Sequence, residues 1–201
     1  MFNSVLAVKT QPHGIVDPKN VLNFAYSNTK AEGASTTCII TLRHKSLHAV
    51  NIGDSGFRIY KGHKCIYRSP VQHRGFNNCP YHLGNAVKCD SPSLAEVLEV
   101  PIEVGDIVVA GTDGLFDNIF DSEIEEQLKK GIEYGLGAPD MACYLADLVL
   151  YNSFDRYTLS PYGLKAQQSR IKHQGGKIDD ITVIVSYMLC VQTFRIITSS
   201  L

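Results

Sequence analysis

The most constraining feature of this chain is the run Ile107-Val108-Val109-Ala110, followed at once by Gly111-Thr112-Asp113-Gly114-Leu115-Phe116-Asp117-Asn118. A short, unbroken apolar run of this kind reads as a strand buried on both faces. Gly111 ends it, and Asp113 and Asp117 follow closely. Two carboxylates where a buried strand ends offer oxygen ligands to a hard divalent cation such as Mg²⁺. Gly114 lets the backbone approach such a site closely or take a positive φ. Taken alone, Asp-Gly is an ordinary turn pair, so the remaining sequence has to decide between a metal site and a capped turn.

Upstream, Asp17-Pro18 predicts a helix start, with Val21, Leu22, Ala25 and Tyr26 on one face as far as about Asn28. Thr36 to Leu42 and Leu47 to Ile52 read as strands joined by a short polar turn, hence antiparallel. Phe57 to Tyr60 and Cys65 to Arg68 read as a second hairpin through Lys61-Gly62-His63-Lys64. Residues 69 to 93, with Pro70, Pro80 and Pro92, predict a long surface loop. Leu94 to Val100 returns as a strand. After the central run, Ser122-x-x-Glu125 predicts a capping box, and Glu125/Lys129 and Glu126/Lys130 are spaced for ion pairs. Gly131 is expected to end that helix. Pro139 opens another, with Met141, Tyr144, Leu145 and Leu148 on one face. Residues 152 to 174 look irregular, and Ile181 to Tyr187 is a strong β run. Hairpins with helices grouped between them predict an α+β fold. Residues 1–190 are expected to form one domain and 191–201 an irregular tail.

The 201 residues carry a net charge of −1, which supplies no basic field for nucleic acid. No apolar run approaches the roughly 20 residues that span a bilayer. The apolar start, Met1 to Val8, lacks a basic leader and a cleavage site. Six cysteines are far apart with no C-x-x-C pair, which predicts reduced thiols in an intracellular compartment. His73, Cys79, His82 and Cys89 share a loop, but their spacing fits no familiar zinc finger.

Acidic turns recur at strand ends: Asp54, Asp113 with Asp117, and Asp179 with Asp180. Three such turns in one chain predict a carboxylate cluster that takes Mg²⁺ or Mn²⁺. Gly53-Asp54-Ser55-Gly56 also matches the serine motif of chymotrypsin-like proteases, though Phe57 stands where a glycine is expected and no histidine lies in a partner motif.

Asn51-Ile52-Gly53-Asp54-Ser55-Gly56-Phe57, Gly111 to Asn118, and Gly176-Lys177-Ile178-Asp179-Asp180-Ile181-Thr182-Val183 resemble three ordered motifs of the metal-dependent type 2C serine/threonine protein phosphatases. Gly33-Ala34-Ser35-Thr36-Thr37 resembles a fourth. Arg68-Ser69-Pro70-Val71-Gln72-His73 and Gly75-Phe76-Asn77 resemble the organellar, plant-like branch. The resemblance implies two antiparallel β-sheets packed face to face and flanked by helices. It implies hydrolysis of phosphoserine and phosphothreonine by a metal-activated water, with two metals in the intact family site and phosphoproteins as substrates. It makes Asp113 and Asp179 direct metal ligands, places Asp54 and Asp117 at a further, weaker metal, and leaves Gly114, Asp180 and Ser55 as supporting residues. Asp180 stands where many members carry Asn. A mitochondrial or plastid address and a monomeric state are likewise expectations from the resemblance, although no Arg/Ser-rich transit segment is present. The family's opening Asp-Gly-x-Gly-Gly motif has no counterpart here, since Asp113-Gly114 is the one Asp-Gly pair. The fold is therefore expected to be N-terminally incomplete, and a catalytically impaired form acting as a binding module is the alternative to an active enzyme.

Overall fold

Two helices open the chain, α1 (Phe2–Thr10) and α2 (Pro18–Asn28). Asp17 caps the second as expected. Its carboxylate accepts from the Lys19 and Asn20 N–H groups, and Pro18 takes a position where no donor is needed. The structure, a computed structural model, describes residues 2–11, 16–74, 79–86 and 88–190. The Gly75-Phe76-Asn77 phrase and the 191–201 tail lie outside the described residues.

After β1 (Ala34–Ser35), β2 (Thr37–Arg43) and β3 (Ser46–Ile52) form the expected antiparallel hairpin. β4 (Gly56–Lys61) and β5 (Lys64–Arg68) form the next, turning at Gly62 with φ of 60°. The 69–93 stretch is more ordered than a loop. It holds β6 (His73–Arg74), β7 (Cys79–Pro80), β8 (Leu83–Gly84) and a 3-10 turn at Pro92–Leu94. β9 (Glu96–Pro101) and β10 (Asp106–Gly111) follow. Next come α3 (Asp113–Phe116), α4 (Asp121–Glu133), α5 (Ala138–Phe154), α6 (Pro161–Gln168) and β11 (Val183–Tyr187).

Two main sheets result, β11-β10-β4-β5 and β2-β3-β9, antiparallel throughout. Their side chains alternate as the pleat requires. Val108 and Ala110 of β10, with Phe57 and Ile59 of β4, face Leu47 and Ala49 of β3 and fill the space between the sheets. Ile107 and Val109 point the other way, onto Leu115, Ile124, Leu128, Met141 and Leu145 of the helices. On the opposite side Leu22 of α2 covers Val50 and Ile52. The architecture is thus helix, sheet, sheet, helix, with the β10 run buried on both faces. Cys38 joins the partly buried side chains between the sheets, and burial pushes its thiol up to about 12. All six cysteines are free. Among the described residues no helix is long and apolar enough to cross a membrane.

Leu145 is fully buried in the helix layer. Leu145→Ala is therefore expected to cost about 2–5 kcal/mol, lowering the thermal midpoint by roughly 5–15 °C. A shift of less than about 2 °C in a thermal melt would contradict the packing of α5 against the sheet.

Five local expectations need correction. The helix α4 begins two residues before the Ser-x-x-Glu signal: Glu123, not Glu125, folds back to accept from the Phe120 N–H at 2.7 Å. Glu125 instead leaves the helix surface to bind Lys64 at 2.8 Å and the Cys65 N–H at 3.0 Å, whereas Glu126 and Lys130 do pair, at 2.7 Å. Gly131 is buried inside α4 rather than ending it, because Met141 of α5 occupies the space a side chain would need. The 152–174 stretch contains α6, capped by Ser160, whose hydroxyl accepts from the Gly163 N–H at 2.9 Å. On α5 the buried face is Met141, Leu145 and Val149, with Leu148 partly buried and Tyr144 exposed.

Candidate active site

The site grows out of the end of β10. Gly111 leaves the sheet and Thr112 takes the position before the first turn of α3, placing Asp113 in that turn and Asp117 at the helix end, where the Asp117 N–H donates to the Asp113 carbonyl at 2.7 Å. One helical turn brings both carboxylates to the same side. Thr112 also grips the strand that brings in the third acid. Its hydroxyl donates to the Asp180 carbonyl at 2.8 Å and accepts from the Thr182 N–H at 3.0 Å.

Asn118, almost fully buried, fixes the segment before that third acid. Its side-chain amide donates to the carbonyls of Gly114 (2.9 Å) and Lys177 (2.8 Å), and its oxygen accepts from the Lys177 N–H at 2.7 Å. Gly114 has to be glycine for this approach. A Cβ there would lie 2.5 Å from the Asp180 carbonyl oxygen.

Asp113, Asp117 and Asp179 meet at one point, and that point is the Lys177 ammonium. Nζ lies 2.6 Å from Asp113 Oδ2, 3.0 Å from Asp117 Oδ2 and 2.8 Å from Asp179 Oδ2. Lys165 takes the other oxygen of Asp117 at 3.0 Å. Burial pulls the lysine down, yet the hydrogen bonds to Asp113 and Asp179 and the charge of Asp117 outweigh it, so the Lys177 pKa lies above the ordinary lysine value. For Asp179, burial pushes upward but the Lys177 and Asp180 N–H hydrogen bonds win and hold it below the ordinary carboxylate value.

Asp54 stands beside this group. Burial, and then the negative charge of Asp113, push its pKa up, against the lowering effect of His73, whose Nε2 is 3.4 Å away. Asp54, Asp113, Asp117, His73, Arg68 and Lys165 border a cavity of about 100 Å³. A larger hollow of about 260 Å³, lined by Leu22, Tyr26 and Leu83, lies away from the aspartates.

The structure therefore brings Asp54, Asp113, Asp117 and Asp179 together from three separate turns. Asp180 acts through its main chain, its N–H donating to Asp179 Oδ1 at 2.9 Å. The Ser55 hydroxyl pairs with that of Thr36 at 2.7 Å, not with an imidazole. Of the zinc candidates, His73 faces Asp54 and His82 Nδ1 lies 3.0 Å from the Pro80 carbonyl. Among the described residues no group of three His, Cys, Asp or Glu side chains is arranged as a ready-made metal cage, and the focus of Asp113, Asp117 and Asp179 is taken by Lys177. Sequence reasoning missed Lys177, Lys165 and the His73–Asp54 contact. Only Lys177 left a signal, a cation two residues before an acid inside a motif.

No protein-family model matches the chain. It is 41% identical over 189 residues to "Probable protein phosphatase 2C 80" of Arabidopsis thaliana, covering 94% of this chain and 45% of that protein. It is 36% identical over 165 residues to "Protein phosphatase PTC7 homolog" of Danio rerio, covering 77% and 55%. Among solved structures it superposes on the photosystem II phosphatase PBCP with a TM-score of 0.83 and 29% identity, covering 93% of this chain and 76% of that one. The chain spans about half the length of the curated relatives it matches.

Proposed function

Because the chain belongs to the protein phosphatase 2C family, we propose that it hydrolyses phosphoserine and phosphothreonine in proteins at the aspartate cluster around Asp113. The observation that carries this reading is the convergence of three carboxylate oxygens, from Asp113, Asp117 and Asp179, on a single cationic centre. The donors suit a divalent ion: all are hard oxygens, and the Lys177 ammonium is a stand-in cation already at their focus. Asp113 and Asp179 would hold the catalytic Mg²⁺ or Mn²⁺, and Asp54 and Asp117 a weaker one.

Such a cation, when bound, supplies Lewis acidity that activates water and offsets charge on the phosphoryl oxygens. The chain's own residues do the rest. The Asp180 N–H aims the Asp179 carboxylate, and Asn118 holds that segment against α3. Lys165, Arg58 and Arg68 border the adjoining cavity and are the cations available there to an anionic phosphoryl group. Residues 1–190 act as one domain on this reading.

The test uses metal-stripped protein, a phosphothreonine peptide and a Mn²⁺ titration. Hydrolysis is expected to require Mn²⁺ and to stop on adding chelator. Ser55→Ala is expected to change turnover only a few-fold, since Ser55 serves the turn through Thr36, whereas a true nucleophile would cost several orders of magnitude, roughly 10⁶. Chelator-resistant turnover, or covalent labelling of Ser55 by a serine-directed inhibitor, would overturn the assignment.

A further inference from the structure

Lys177 is not a wandering surface lysine. Its main chain is held on both sides by Asn118, at 2.7 and 2.8 Å, and its Nζ lies 5.3 Å from the centre of the Tyr162 ring. Only about a quarter of its side chain is exposed. The tether ends with the ammonium against Asp113, Asp117 and Asp179 at once. A dication ligated by these oxygens has to enter the same space, and two positive charges cannot share it at contact distance.

We propose that Lys177 is a tethered competitor for the divalent cation: it neutralises and holds the aspartate cluster while no metal is bound, and it must swing out for the metal to enter. The inference rests on the metal reading above. It follows from charge balance. Without the ammonium, three carboxylates at one focus repel one another, which destabilises the metal-free protein and leaves the cluster with a stronger demand for a cation. With it, part of the metal's binding energy is spent on breaking three ion pairs, so metal binding is weakened. Lys165 remains on the far oxygen of Asp117 and continues to orient it.

The test compares Mn²⁺ binding by calorimetry for the wild type, Lys177→Met and Lys177→Arg. Lys177→Met is expected to bind Mn²⁺ at least about tenfold more tightly. It should also melt lower than the wild type without metal and gain more from Mn²⁺ in thermal midpoint. Lys177→Arg keeps the charge and should stay weak. A second readout needs no variant. Acetylation of Lys177 by a water-soluble amine reagent, followed by mass spectrometry against Lys172 as internal reference, should rise when Mn²⁺ saturates the wild type. Equal or weaker Mn²⁺ binding by Lys177→Met, or unchanged Lys177 acetylation at saturating Mn²⁺, overturns the competition while leaving the metal site standing. Failure of every variant to bind Mn²⁺ removes both.

Discussion

Asp113→Ala is expected to lower Mn²⁺ affinity and phosphopeptide turnover by at least about a hundredfold while leaving the thermal midpoint of the metal-free protein within a few degrees of the wild type. The two halves of this expectation have different causes. Asp113 is the residue that connects the two parts of the site. It shares Lys177 with Asp117 and Asp179, and its charge pushes the Asp54 carboxyl up. Removing it takes away a charged oxygen from the focus it shares with Asp117 and Asp179. Stability responds less. The lost ion pair is partly exposed and worth at most about 1 kcal/mol, and its loss relieves crowding among like charges. Asp147→Ala, on the exposed face of α5, is the matched control and should leave Mn²⁺ binding unchanged. Equal Mn²⁺ affinities for the wild type and Asp113→Ala in calorimetry would remove Asp113 from the site. A large fall in thermal midpoint would mean that its role is structural.

That Asp113 could be singled out from sequence reflects how local the signal is. A buried strand must end, and the turn after it is short, so an acid two residues beyond Gly111 can only sit at the sheet's rim. The same reasoning made β2, β3, β4 and β5 legible, because hairpins with short turns leave little freedom in pairing. What the sequence concealed depended on contacts between distant segments. Gly131 looks like a helix stop until Met141 arrives from α5 and fills the space beside it. Glu125 is correctly spaced for Lys129, yet Lys64 and the Cys65 N–H reach it from β5 and form the stronger set of partners. Ser160-Pro161 is a legitimate start signal for α6, but the short run after it has too little apolar periodicity to be read as a helix. The site follows the same rule. Its acids could be named one by one, because each lies in a short turn at a strand end with glycine close by. The cation at their centre could not, since Lys177 acquires its position only when Asn118 pins its backbone.

The glycine pair ahead of Lys177 yields the second large effect. Gly176→Ala is expected to destabilise the protein by about 1–3 kcal/mol or more and to weaken Mn²⁺ binding together with it. Gly176 passes under the end of α5, its N–H donating to the Asp155 carbonyl at 2.7 Å. A Cβ placed there would lie 2.1 Å from the Asn152 carbonyl oxygen, 2.6 Å from Ser153 Cα and 2.8 Å from the Ser153 carbonyl carbon. All three are backbone atoms of a helix end, so no side chain can rotate aside. Either α5 frays or the 175–179 segment moves outward. Both carry Lys177 and Asp179 off the Asp113 focus, and a displacement of about 1 Å at a reacting centre can cost about a hundredfold in rate. Gly62→Ala is the control for stability. That glycine, unlike Gly176, has a positive φ but meets nothing within 4 Å, so only the left-handed backbone is strained and metal binding should be unaffected. Gly176→Ala with wild-type melting and wild-type Mn²⁺ affinity would show that the segment tolerates displacement, and Asp179 would then have to be held by something other than the packing of Gly176 beneath α5.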